Sequence, residues 1–456
     1  MAMTNIDDIL ENLNNIILIV LVLAIVYLVF TIIKNYIKKD NKTNVLLKES
    51  SRDSAEGIIF GIQKRNVVYS PTNAEGHISV FGGSGVGKTS AILIPTLLKW
   101  KGTSLTIDIS GDISKNVNIE NKLVYQPGNG TIPYNVFYQI DLVDDKSKKN
   151  ELLEQLAFLM MPDNDDFSDA SQFYNTEGRK ILTASFIAFY FAGYDFIDIC
   201  KMVFQSSWKD LFSRIDETKN RDAIQYINSF EGASEQNTSG CKQACDAVIK
   251  LFATNETIQR SIGRPVDGSK SFDPGKLETK NVFVVIDDSK LKLYAPLLHL
   301  ITAQCLEFFS ERSNDSKTNI LFCLDEFVSL GKLEITDALR KLRKKHVRIM
   351  ILTQSMADID LLYGKSERMA MMNNFSFKVI LEASDTETQD YFAKLIGYKP
   401  TKKKSVSTSN VNTTKTLADD KEWIIEPAKL ARLGDDLILL YREGYKLLKK
   451  NFYFKH

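Results

Sequence analysis

Residues Gly82 to Thr89, GGSGVGKT, fit G-x-x-x-x-G-K-[ST] at every fixed position. Glycines at these places let the backbone take positive φ angles, so that successive N–H groups turn toward one anion at the positive end of the following helix. Gly82, Gly83, Ser84, Gly85, Val86 and Gly87 would form that cradle. The chemistry implied is the binding of ATP with Mg2+, with Lys88 reaching the β- and γ-phosphates and the Thr89 hydroxyl on the metal. A second reactive group stands at Asn319-Ile-Leu-Phe-Cys-Leu-Asp325-Glu326-Phe327. A phosphate-loop enzyme needs a carboxylate at the end of a neighbouring buried strand to hold Mg2+ through water, and a base to polarise the attacking water. Asp325 is assigned to the metal shell and Glu326 to the base. The blander reading of this pair is an acidic helix start after a core strand. Gln354 follows the predicted strand Val347–Leu352, where it would sense the γ-phosphate or orient water, the blander reading being a glutamine that caps a turn. Asp287 and Asp288 also end an apolar run, but no glutamate follows them, so they are reserve candidates.

Strands must hold these groups. Short β-branched runs recur at His77–Phe81, Ser104–Ile109, Lys122–Gln126, Asn281–Ile286, Asn319–Leu324, Val347–Leu352, Phe377–Leu381 and Asp436–Tyr441. Several are apolar almost throughout, as strands buried on both faces of a parallel sheet are. Between about Asp144 and Phe272 the spacing turns helical and β-branched runs nearly vanish, which predicts an all-α insertion in an α/β domain. Thr401 to Ala418, rich in Ser, Thr, Asn and Lys, reads as a mobile loop or tip.

The chain has 456 residues, a net charge of +1, and five cysteines without a C-x-x-C pair. Charge gives no global pull toward nucleic acid or anionic lipid, and the cysteines fit a reducing cytosol rather than a disulfide scaffold. Cys241 and Cys245 read as small buried side chains. Ile16 to Ile33 carries no charge and would span roughly 27 Å as a helix, enough for one membrane crossing. Acidic residues precede it and Lys34, Lys38, Lys39, Lys42 and Lys48 follow, so the positive-inside rule puts the rest of the chain in the cytoplasm. The expected organisation is an extracytoplasmic N-terminus (1–15), a transmembrane helix (16–33), a juxtamembrane linker (34–54), a nucleotide-binding domain in two parts (55–143 and 273–456), and the all-α domain between them (144–272). Ile181 to Ala192 is too short to cross a membrane and reads as a core helix. The basic run Arg340 to Arg348 is open to three readings: a solvated helix face, an arginine reaching a neighbouring subunit's nucleotide, or lysines along a DNA path.

From about Ile59 to Tyr445 the chain resembles the type IV coupling proteins of the TraG/TraD type. The likeness rests on the phosphate loop followed by Pro95 in IPTLL, on Ile132-Pro-Tyr-Asn-Val136, and on Leu324-Asp-Glu-Phe-Val-Ser-Leu-Gly331. It continues through Leu339-Arg-Lys-Leu-Arg343, Gln354-Ser355, Tyr363-Gly364 and Asn373-Asn374. That resemblance implies a RecA-like P-loop NTPase in a membrane-anchored homo-hexamer, feeding single-stranded DNA with its relaxase, or effector proteins, into a type IV secretion channel. It also implies that Arg343, eleven residues before Gln354, is an intersubunit arginine finger, preferred over Arg340 and Arg348. Two features depart from the pattern. One spanning helix stands where relatives have two, and the family's Asp-x-Lys-Gly-Glu appears as Asp108-Ile-Ser-Gly-Asp112, without the lysine. Other readings of the same residues are a duplex-DNA pump of the FtsK/HerA type and a receptor that binds nucleotide without acting as a motor.

Overall fold

A computed structural model describes Tyr27 and residues 46–128, 132–163, 168–266, 270–408 and 413–455. The expected membrane segment 16–33 lies outside the described residues except at Tyr27, and among those described no helix is long and apolar enough to cross a membrane.

One large sheet organises the unit Glu49–His456. Its strands are β1 (Lys48–Ser50), β2 (Gly57–Gln63), β3 (Asn66–Pro71), β4 (His77–Phe81), β5 (Thr103–Asp108), β6 (Lys122–Tyr125) and β7 (Asn281–Val285). They are joined by β8 (Ile320–Leu324), β9 (Val347–Thr353), β10 (Phe375–Ile380), β13 (Asp436–Tyr441) and β14 (Gly444–Lys449), while β11 (Tyr398–Thr408) and β12 (Thr413–Trp423) pair only with each other. The order across the sheet is β1-β3-β2-β14-β13-β10-β4-β9-β8-β5-β7-β6. From β10 to β6 every pairing is parallel, and from β10 through β13, β14 and β2 to β3 every pairing is antiparallel. The apolar run Asp436–Tyr441 is therefore a buried strand, but an antiparallel one. In the parallel half, β4, β5, β8 and β9 are buried along their whole length, which is why β8 reads as an unbroken apolar run and the others lack a regular polar alternation.

In its described residues, 401–408 and 413–418, the segment Thr401 to Ala418 departs from the expected loop. The backbone forms an antiparallel ladder from Tyr398 opposite Trp423 to Thr408 opposite Thr413, about 35 Å long at some 3.3 Å per residue. Its Ser and Thr content suggested a turn, yet threonine's branched Cβ also suits a pleated strand. The Tyr398 and Trp423 rings, 4.2 Å apart, close its base.

Between β6 and β7 the named elements are all helical, from Tyr138–Asp141 to the short 3-10 turn Pro274–Glu278. Each of the longer ones starts at a side chain that satisfies its free N–H groups. Asp145, Ser168, Ser207, Asn220 and Ser234 accept from backbone donors two or three residues on. These helices share one continuous buried core with the sheet. Cys200, Cys241 and Cys245 lie in it as free thiols, and Ile181–Tyr190 is its most deeply buried helical stretch.

The segment Pro133–Val136 sews the insertion to the sheet. Tyr134 N donates to Ser261 O at 2.8 Å, Asn135 N to Phe272 O at 2.9 Å, and Phe272 N to Pro133 O at 3.0 Å. The Tyr134 hydroxyl, fully buried, donates to Gln304 Oε1 at 2.8 Å, and Gln304 Nε2 donates to Val136 O at 2.8 Å. The helix Leu291–Glu311 thus holds the segment that enters the insertion at two points, Tyr134 and Val136, through the one amide of Gln304. Replacing it by an apolar side chain would strand a buried hydroxyl and a buried carbonyl. Gln304→Leu is expected to lower stability by about 2–4 kcal/mol in urea unfolding; a loss below about 0.5 kcal/mol would contradict this role.

Candidate nucleotide site

The phosphate loop leaves the C-terminal end of β4, in the middle of the sheet. Gly85 and Gly87 have φ of 74° and 105°, left-handed values that a side chain disfavours. Gly82 has no room for one, since a Cβ there would lie 2.6 Å from Val86 Cγ2. The helix that follows opens as a π-turn over Lys88–Leu93, with Ile94 N donating to Thr89 O, and becomes α-helical at Ile94–Lys99. This wider turn accounts for Pro95. In the five-residue register Pro95 has no N–H to offer Ser90 O, and Tyr453 N takes that acceptor at 3.1 Å.

The two carboxylates come from the end of β8, two strands away across β9. Thr89 Oγ1 lies 3.3 and 3.4 Å from the two oxygens of Asp325. Lys88 Nζ donates to Gly82 O at 2.9 Å and Gly83 O at 3.1 Å, and stands 3.5 Å from Glu326 Oε1. Gln354, just past β9, reaches Glu326 Oε2 at 3.5 Å. Glu326 has φ 45° and ψ 52°, a left-handed conformation that costs a β-carbon residue on the order of 1–2 kcal/mol. That twist at the strand end sends adjacent carboxyls two ways, Asp325 to Thr89 and Glu326 to Lys88 and Gln354.

Asp325 is only 6% exposed. Burial, and next the negative charge of Glu326, push its carboxyl up to about 6, against smaller opposing pulls from the Thr89 hydroxyl and Lys88. Its environment thus disfavours a bare charge, and a cation would relieve it. The donors on offer are hard oxygens, one hydroxyl and one carboxylate, and the described residues contain no cluster of three or more His, Cys, Asp or Glu. Mg2+ is held in this way, by one or two protein oxygens plus phosphate and water.

The remaining candidates lie elsewhere. Arg343 precedes β9, at the N-terminal edge of the sheet and about 20 Å from the loop by strand length, where its Nε meets Glu75 Oε2 at 2.6 Å. Arg340 is exposed and pairs with Asp337. Arg348 is buried, donating to Gly76 O, Pro71 O and Ser70 Oγ, so it is a core strut and cannot reach another subunit. Asp287 and Asp288 are exposed at the end of β7, three strands from β9. Asp108 spends its carboxylate on Gly111 N and Ser114 N, at 2.9 and 2.7 Å. The sequence reading did not foresee the segment after β14, where Lys450 Nζ donates to Val86 O at 2.9 Å and the Phe452 ring packs on Gly87.

Comparison with known proteins bears on this geometry. VirD4 of Agrobacterium fabrum is 23% identical over 410 residues, covering 85% of this chain and 58% of the relative. A probable conjugal transfer protein TraG of Sinorhizobium fredii is 23% identical over 396 residues, covering 81% and 60%. The chain thus spans about three fifths of the length of these relatives. Among solved structures, the bacterial conjugative coupling protein TrwBdeltaN70 superposes with a TM-score of 0.65 at 18% identity, covering 82% of this chain and 84% of that one. TrwB in complex with ADP and Mg2+ does so with 0.64 at 17%, covering 82% and 85%. At such identities the likeness is one of fold, an α/β P-loop architecture. The family described as type IV secretory system conjugative DNA transfer matches residues 31–456. A match of that extent, over a chain whose phosphate loop and carboxylate strand meet as they do here, makes this protein a member of the type IV secretory system conjugative DNA transfer family.

Proposed function

We propose that this protein is a membrane-anchored ATPase that couples ATP hydrolysis to delivery of a DNA–relaxase complex, or of a protein substrate, into a type IV secretion channel. The observation that carries the reading is the convergence of Lys88, Thr89, Asp325, Glu326 and Gln354 at one edge of the sheet, in a chain of this family. The backbone from Gly82 to Thr89 cradles the phosphates and Lys88 neutralises them. Thr89 and Asp325 would hold Mg2+, which would offset the negative charge of the phosphates. Glu326 takes a proton from the attacking water and Gln354 orients it. Arg343, far from its own loop and exposed, serves the site of the next subunit in a homo-hexamer. The uncharged stretch 16–33 anchors the assembly, with the motor in the cytoplasm. TrwB, a fold neighbour, has been solved with ADPNP and with ADP and Mg2+, and the same ligands suit this donor set.

Lys88→Ala is expected to abolish ATP turnover without affecting membrane insertion. Glu326→Gln is expected to bind ATP normally while turnover falls by about 10²- to 10⁴-fold; undiminished phosphate release by either variant would defeat the assignment. If Arg343 acts in trans, Arg343→Ala alone is inactive, and mixing it with Lys88→Ala regains activity, because some interfaces then pair an intact loop with an intact arginine. Mixtures as inactive as their parents would exclude that role. Protonated Asp325 is a poor metal partner, so kcat/KM with Mg·ATP should fall roughly tenfold per pH unit below about 6. Because the folded value lies above the unfolded one, ionised Asp325 costs the nucleotide-free fold stability, a cost present above pH 6 and relieved as pH falls toward 4. Asp325→Asn should therefore be inactive yet about 1–3 kcal/mol more stable at pH 7; a flat rate profile from pH 5 to 8, or a destabilised variant, would count against this.

A further inference from the structure

Past β14 the chain doubles back over the phosphate loop. Lys450 Nζ donates to Val86 O, Tyr453 N donates to Ser90 O, and the Phe452 ring leaves only 2.9 Å for a Cβ on Gly87. Arg52 holds the turn from below by donating to Asn451 Oδ1. The segment is thus fixed to three successive parts of the loop and its helix. It carries aromatic rings that the core does not use. Phe452 and Phe454 lie 5.4 Å apart at 34°, and Tyr453 meets Phe454 edge-on at 5.2 Å and 83°. Lys455 Nζ sits 4.6 Å from the centre of the Phe452 ring, whereas Phe454 is 60% exposed.

Sheet order gives the side of the phosphate loop on which this segment lies. Asp325, Glu326 and Gln354 approach the loop from β8 and β9, on one side of β4, and they mark the γ-phosphate end of the site. The aromatic segment follows β14 and lies on the other side, beyond β10 and β13. A triphosphate laid along the loop with its γ end at Glu326 carries its nucleoside toward that side.

We propose that Phe452–Phe454 is the base-binding wall of the nucleotide site, with the purine stacked on Phe454 and Phe452 bracing the pair against Gly87. The proposal rests on the nucleotide reading given above. Stacking needs only the π-face of a base, so adenine and guanine are held alike.

The test is calorimetric titration of the full chain with ADP, GDP and inorganic tripolyphosphate. Phe454→Ala should weaken both nucleotides by about five- to a hundredfold and leave tripolyphosphate unchanged, and Phe454→Trp should restore nucleotide affinity. Unchanged ADP binding in Phe454→Ala, or an equal loss for tripolyphosphate, would overturn the assignment. Lys88→Ala provides the control, since it should weaken all three ligands. Failure there would strike the phosphate-site reading rather than the base wall.

Discussion

A carboxylate almost sealed from water, Asp325, faces the hydroxyl of Thr89 across a neighbouring strand, and the rest of the site is arranged around that approach. Taking a carboxylate out of water is costly unless something compensates, and in this protein the nearest charges divide, Glu326 opposing ionisation and Lys88 favouring it. Only parallel pairing of β4, β9 and β8, all buried along their length, brings both groups to the same sheet edge. The left-handed turn at Glu326 then turns two adjacent carboxyls toward different partners, Asp325 to Thr89 and Glu326 to Lys88 and Gln354.

The same constraint explains two local oddities. Pro95 sits where a plain α-helix would suffer, and the π-turn opening at Lys88 removes the conflict while setting Thr89 opposite Asp325. The carbonyl left over at Ser90 is answered by Tyr453, from a distant part of the chain. A helix fault, a proline and a returning segment are thus one device.

Much of this was legible from residues alone. The loop, the carboxylate pair and Gln354 are each local in sequence, and each follows or ends a largely apolar run, the mark of a strand buried on both faces. All eight runs singled out are strands, displaced by no more than two residues. What was illegible is non-local or ambiguous by composition. β2 and β3 belong to the antiparallel half, and β14 is largely exposed, so it lacks a continuous apolar signal. The ladder of β11 and β12 was hidden because Ser and Thr serve turns and strands alike. Among the arginines, spacing could not tell Arg348 from Arg343. Burial does, because Arg348 is consumed by backbone carbonyls of the β3–β4 connection. Nothing in Asn451-Phe-Tyr-Phe-Lys455 announces that it lies on the phosphate loop, since that contact joins residues more than 350 positions apart.

The most direct test of the central claim is an experimental structure of the full chain with a non-hydrolysable ATP analogue and Mg2+. The account predicts phosphates enclosed by the backbone of Gly82 to Thr89 and a metal ion between Thr89 Oγ1 and Asp325. A nucleotide bound at any other place, or a metal remote from that pair, would contradict it.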